Sequence, residues 1–322
     1  MRCVYGPVLS WRLGRSLGVD PLLPPKTCTF ECIYCQLGRT VRKVSGPEEV
    51  KGRVSEGRVL SELKGVEIDF SMVDFITFSG TGEPTLNLEV GRMVEGIRAT
   101  LGDGCPPIAI LTNSSLTCRE DVRENLKRFD LVMAKLDAAN EEMFMAVNNP
   151  SPSIRFWDVV EGLKKLRREV EGRLAAQIML FQDDEKGIDG SSVEVVEEVA
   201  ALTREIGFHE VYLNTPSRPP FIRSVKPLSQ FQLRRAAEVF AEKRLNVHYY
   251  GAEAKTGQGG RTLTEEDVFA VVKRRPCRFA DLAGIFASSE EDLEKLDRLL
   301  RSLSGEGRIR VLRYRGETFY AL

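Results

Sequence analysis

Cys28, Cys32 and Cys35 fall within one short run, CTFECIYC, in a chain of 322 residues that holds only seven cysteines. Thiolates are soft ligands that select zinc, copper(I) or iron-sulfur clusters. A structural zinc site is closed by four ligands, usually as two pairs on separate knuckles, and here one compact loop offers three. A [4Fe-4S] cube held by three thiolates keeps one iron without a protein ligand, and an open position is the mark of a reactive metal site. A zinc loop or chance spacing stays open on the residues alone. Cys3, Cys105, Cys118 and Cys277 stand apart and read as ordinary small side chains, because free cysteine is often simply buried. An odd count at irregular spacing argues against a disulfide framework.

A second stretch, Gly80-Thr81-Gly82-Glu83-Pro84, follows the apolar run VDFITFSG. Glycines let a backbone approach a ligand closely, a carboxylate pairs with an ammonium, and Pro84 stiffens the exit. Alone, Gly-x-Gly-Glu is commonly a plain turn; its place after a buried strand is what singles it out.

Elements must bring these two stretches together. Short, continuously apolar runs at 16–23, 73–80, 107–115, 131–138, 174–181 and 210–216 predict strands buried on both faces. Amphipathic stretches lie between them, as in RFWDVVEGLKKLRREV, where Phe156, Val159, Val160, Leu163, Leu166 and Val170 recur at three and four residues. Further helices are expected near 48–64, 88–100, 120–128, 191–206 and 228–242. Such alternation implies an α/β fold with parallel strands and helical crossovers, as a doubly wound sheet or a barrel. In both, ligands gather at the carboxyl ends of the strands.

The pattern breaks at GAEAKTGQGGRT, which is Gly-rich and aperiodic. The expected organisation is a core over 1–250, a linker over 251–263 and a small domain over 264–322. Three helical patterns and a hairpin in the last part suggest a winged-helix-like module. Its third helix, from Glu290 to Arg301, holds five acidic and three basic residues, a poor match to a phosphate-lined groove. Arg308, Arg310, Arg313 and Arg315 make the hairpin basic, which suits either RNA backbone or a solvated face. With a formal charge of -1, any nucleic-acid role must rest on a local patch. The opening MRCVYGPVLSWRLGRS has no secretory pattern and no run nears the ~18 apolar residues of a membrane span, so a cytoplasmic location without membrane attachment is expected.

Cys28-xxx-Cys32-x-Tyr34-Cys35, with an aromatic before the last cysteine, resembles the radical S-adenosylmethionine superfamily, and the likeness covers roughly residues 5 to 250. The resemblance implies a partial (β/α)6 TIM-like barrel. It also implies a [4Fe-4S] cluster on the three cysteines whose free iron is chelated by the methionyl amino and carboxylate groups of S-adenosyl-L-methionine. Gly80, Thr81, Gly82 and Glu83 are similar to the family's glycine-and-glutamate motif, which binds the methionyl amino group. Lys135 and Asn113 would then meet a carboxylate, Asp137 a ribose hydroxyl, Asn214 the adenine or ribose, and Tyr34 would pack at the adenine edge. Arg218 and Pro219-Pro220 would rim the substrate opening, while His209 and His248 read as structural. The implied chemistry is reductive cleavage of the sulfonium by an electron from a flavodoxin- or ferredoxin-type donor, followed by hydrogen abstraction from substrate.

The stretches VYGPVLSWRLGRSLGVD, CQLG, TGEPTL, KLDAAN and NTPSRPP most resemble an uncharacterised branch related to the wyosine-forming tRNA enzymes, which makes RNA the favoured substrate class. Those enzymes use a second cluster and a lysine, whereas here only Cys3 lies upstream and the fifth strand, AAQIMLFQ, has no lysine. The alternative is a non-catalytic iron-sulfur sensor that reads nucleic acid with its winged helix.

Overall fold

In a computed structural model that describes residues 2–251 and 261–322, one curled sheet organises the chain. β1 (Val4–Ser10) and β2 (Gly14–Val19) form an antiparallel hairpin. β3 (Phe75–Phe78), β4 (Ile108–Thr112), β5 (Leu131–Lys135), β6 (Arg173–Met179), β7 (Glu210–Asn214) and β8 (Val247–Tyr249) continue from β2 in parallel. Strand order across the sheet equals strand order along the chain. A doubly wound sheet reverses its order midway, whereas a barrel wall advances in one sense. With β1 and β8 at opposite edges, this wall is a barrel that does not close.

Helical crossovers join the parallel strands: α1 (Glu56–Lys64), α2 (Val90–Leu101), α3 (Glu120–Leu126), α4 (Glu141–Asn148), α5 (Phe156–Glu169), α6 (Val193–Ile206) and α7 (Gln230–Glu242). Serines cap the last two, Ser192 accepting from Val195 and Ser229 from Gln232. Period-two alternation sorts each strand between two cores. Ile108, Ile110, Val132, Leu174, Ala176 and Ile178 face the helices, while Ala109, Leu131, Met133 and Ala175 face the concave side. Both faces are therefore apolar, as the continuous runs required.

Two strands exceed the expected six. β1 reads VYGPVLS, and Gly6 and Pro7 break its apolar pattern; its register against β2 shifts between Tyr5 and Val8. Proline is tolerated because β1 is an edge strand. β8 is only three residues long, too short to stand out. The strand expected over 16–23 begins two residues earlier and ends at Val19.

The C-terminal part holds α8 (Glu265–Val272), α9 (Phe279–Phe286), α10 (Glu290–Gly305) and the hairpin of β9 (Arg310–Tyr314) and β10 (Glu317–Ala321). Of the expected linker, 252–260 lie outside the described residues. α8 and α9 pack on β1 and α10 packs on α9, so that Tyr5 and Val8 share one apolar cluster with Val268, Leu282, Ile285 and Leu296. Arg274 ties the two parts further: its Nε reaches the Asp20 carboxylate at the end of β2 at 2.9 Å, and its Nη2 donates to the Arg2 carbonyl at 2.8 Å. On α10 the charges pair along the helix, Lys295 with Glu291 at 2.7 Å and Arg301 with Asp297 at 2.8 Å, and Arg308 of the hairpin pairs with Glu265. Among the described residues no helix is long and apolar enough to cross a membrane.

Candidate active site

The cysteine loop has too little regular structure to hold itself, and two flanking segments hold it. On one side Thr27 forms a parallel bridge to Gly82, its N–H donating to the Thr81 carbonyl at 3.2 Å and its carbonyl accepting from Glu83 N–H at 3.2 Å. On the other, residues 147–151 pair with the loop: Ser151 N–H donates to Thr29 O at 2.8 Å, Glu31 N–H to Asn148 O at 3.1 Å, and Ile33 N–H to Val147 O at 3.1 Å. Ile33 and Tyr34 pack beneath with Val147, Phe181 and Val225.

Each sulfur has its own N–H donor. Lys26 Nζ lies 3.2 Å from Cys35 Sγ, Asn113 Nδ2 lies 3.5 Å from Cys28 Sγ, and Asn148 Nδ2 lies 3.5 Å from Cys32 Sγ. Burial, with the Glu83 carboxylate adding to it, pushes the Cys28 thiol up to about 12; burial and then the neighbouring Cys35 push Cys32 up to about 11. A bound cation is what makes such thiols thiolates at neutral pH. Among the described residues no three His, Cys, Asp or Glu side chains converge as a site for a single ion. Three sulfurs on one loop, each facing an N–H donor, fit an iron-sulfur group, whose sulfurs are tuned by such hydrogen bonds.

Glu83 is buried. Its Oε1 accepts from Thr85 N–H, Thr85 Oγ1 and Thr112 Oγ1 at 3.1, 2.7 and 2.7 Å, and its Oε2 accepts from Asn113 N–H at 2.6 Å. Burial raises its pKa against these bonds, and Oε2, with a single partner, keeps lone-pair capacity. The glycines lie close against other protein segments. A Cβ on Gly82 would stand 1.8 Å from Thr27 O, and one on Gly80 would stand 2.1 Å from the Asp20 carboxyl carbon, so both permit close packing of protein on protein. Thr81 is likewise committed to Asp20, through its N–H and hydroxyl at 3.1 and 3.0 Å.

The Asp137 oxygens are engaged by the protein. Oδ1 accepts from Met179 N–H at 2.8 Å and pairs with Lys135 Nζ at 3.1 Å; Oδ2 accepts from Asn148 Nδ2 at 3.0 Å and from the Tyr34 hydroxyl. It anchors the cysteine loop to the end of β5. Asn113 Nδ2 donates to Thr29 Oγ1 at 2.7 Å and its Oδ1 accepts from Ser115 N–H at 2.9 Å. His209 Nδ1 accepts from Leu174 N–H at 2.9 Å, and His248 stacks on Tyr212 with ring centres 4.9 Å apart.

Beside the loop lies a chamber of about 1080 Å³. Tyr34, Cys35, Gly80, Lys135 and Asn214 open onto it, as do Gln177 and Met179 of β6. Lys135 Nζ is 4.9 Å from the Tyr34 ring centre. The lining also includes Arg12 in the β1–β2 turn, Arg218 after β7, and Arg275, Arg278 and Asp281 of the C-terminal part. Sequence reasoning missed Lys26, Asn148, Asp20, Arg12 and Arg275. Only Lys26 had a local signal, standing two residues before the first cysteine; the others arrive by long-range packing.

The chain is similar to known proteins. The model of the radical SAM superfamily matches residues 22–189. A UPF0026 protein of Methanocaldococcus jannaschii is 30% identical over 326 residues, covering 99% of this chain and 96% of its own length. Among solved structures, Streptococcus suis SuiB bound to S-adenosylmethionine aligns with TM-score 0.54 at 16% identity, over 80% of this chain and 56% of its own. A radical SAM methyltransferase from Sphaerobacter thermophilus aligns with TM-score 0.51 at 16% identity, over 73% of this chain and 65% of its own. At such identity these two structures speak for the fold.

Proposed function

The chain belongs to the radical SAM superfamily, and from that premise we propose that it is an iron-sulfur enzyme that cleaves S-adenosyl-L-methionine and takes hydrogen from a substrate held in the chamber. Cys28, Cys32 and Cys35 would hold a [4Fe-4S] cluster. The bound pair of cofactors would supply one-electron cleavage of the sulfonium and the hydrogen abstraction that follows, with a flavodoxin- or ferredoxin-type donor providing the electron.

The chain's own residues bind and orient. Lys26, Asn113 and Asn148 direct N–H groups at the three sulfurs. Glu83 Oε2 takes the methionyl ammonium and Lys135 the methionyl carboxylate, opposite charges meeting in a shielded site. Tyr34, fixed by Asp137, presents its ring to the adenine, and Asn214 lies within reach of the adenine or ribose. Gly80, Thr81 and Gly82 set the path of the backbone that carries Glu83. The C-terminal elements cover the chamber and keep water from it. RNA is the first substrate class to try.

The observation that carries this reading is the opening of the cysteine loop onto a walled chamber of about 1080 Å³, which an iron-sulfur sensor has no use for. Reconstituted, reduced protein under anoxic conditions should convert S-adenosylmethionine to 5'-deoxyadenosine. Intact S-adenosylmethionine after loading with iron and sulfide would sink it.

A further inference from the structure

The chamber wall that includes Arg12 and Arg275 carries more positive charge than it neutralises. Arg218 and Arg278 share Asp281, at 3.3 and 3.2 Å, and Arg278 also reaches Glu317 at 3.0 Å. Glu290, which also lines the chamber, is exposed at its rim. Arg12 and Arg275 have no carboxylate partner among the described residues. Arg12 Nη1 makes a long contact to Asn214 Oδ1, and Arg275 Nη1 a long contact to Leu9 O, both at 3.4 Å. Arg12 Nε and Arg275 Nε and Nη2 are shielded from solvent and have no hydrogen-bond partner.

Two desolvated guanidinium groups without an anion are costly, and the cost grows as they approach one another. Burial first, then Arg218 and Arg275, pushes Arg12 down to about 10; burial and Arg275 likewise lower Arg218, against the pull of Asp281. The field at this wall is therefore open to an anion. A monoanionic carboxylate would leave one charge uncompensated, whereas a dianion balances both. Planar guanidinium forks also match tetrahedral oxygens bidentately, Arg275 through its unpartnered Nε and Nη2 and Arg12 with its unpartnered Nε.

We propose that Arg12 and Arg275 bind the phosphate of the substrate, and that this substrate is a phosphate monoester. The inference rests on the chamber being the substrate site, and it moves the first trial from RNA backbone, whose diesters carry single charges, to phosphorylated small molecules. The methionyl carboxylate is served by Lys135.

The test is calorimetric titration of the cluster-loaded protein, saturated with S-adenosylmethionine, using inorganic phosphate, adenosine 5'-monophosphate and adenosine as probes. The two phosphates should bind and adenosine should not. Arg12→Gln and Arg275→Gln should each weaken phosphate binding by on the order of tenfold or more, while Arg128→Gln, on the outer surface, leaves it unchanged. Because neither arginine has a carboxylate partner among the described residues, both variants should keep a melting temperature at or above that of the parent. Equal phosphate affinity in parent and variants overturns the proposal. So does unfolding of both variants, or competition by an oligonucleotide without a terminal phosphate that equals the monoester. Phosphate binding through these arginines in a protein that leaves S-adenosylmethionine intact would defeat the enzymatic reading and spare this one.

Discussion

Lys26 Nζ stands 3.2 Å from Cys35 Sγ and 2.7 Å from the Gly38 carbonyl, which pins an ammonium against the third sulfur of the loop. A positive charge there favours the more negative, reduced state of a bound cluster. Lys26→Met should therefore lower the cluster potential by on the order of tens of millivolts while leaving iron content intact. Redox titration followed by electron paramagnetic resonance checks this; an unmoved potential would mean that the lysine only braces the loop.

Cysteine placement separates ligands from bystanders. Cys32 in the loop faces Asn148, whereas Cys118 is exposed in the segment before α3. Cys32→Ala should lose iron and 5'-deoxyadenosine formation, and Cys118→Ala should retain both. Iron analysis and chromatography of the nucleoside products decide, and equal loss in both would refute the ligand assignment.

Gly82 is the seam between the two motifs. Since a Cβ there would stand 1.8 Å from Thr27 O, Gly82→Ala must push the cysteine loop away, at a cost of about 1–3 kcal/mol, and iron occupancy should fall with it. Gly57→Ala, in α1 with open space around it, should hold or raise stability. Melting temperature and iron per chain, measured together, would expose a loop that tolerates the extra carbon.

The Arg274–Asp20 pair is almost wholly buried, with side chains 2% and 1% exposed. Arg274→Met leaves Asp20 without its cation and should cost about 3–5 kcal/mol. Burial raises the Asp20 carboxyl and Arg274 draws it back, so in the variant its folded pKa climbs further. Such a group contributes stability fully below its unfolded pKa of about 3.9, and loses it as pH rises through the folded value. The deficit of the variant should be smallest in acid and grow towards neutral pH in urea titrations. A deficit independent of pH would assign the effect to lost packing instead.

Local pattern made much of this legible. The apolar runs located β2 to β7, and the spacing of Cys28, Cys32 and Cys35 pointed to a cluster loop before any coordinates. What stayed hidden depends on meetings between distant segments. Nothing near Asn148 announces that residues 147–151 brace the cysteine loop, and Asp137, read as a free carboxylate at a strand end, is saturated by Tyr34, Lys135, Met179 and Asn148. Gly6 and Pro7 disguised β1. Because β1 carries the docked C-terminal helices, missing it also concealed the chamber's second wall.

That wall has a consequence for biosynthesis. The segment bearing the three thiols leaves the ribosome long before Arg275 and its neighbours are made, and polypeptides fold in that direction. For most of translation the chamber that Cys35 lines lacks this wall, and α8 and α9 dock on β1 only after the barrel strands have been made. The chamber is thus completed by the chain's own later residues.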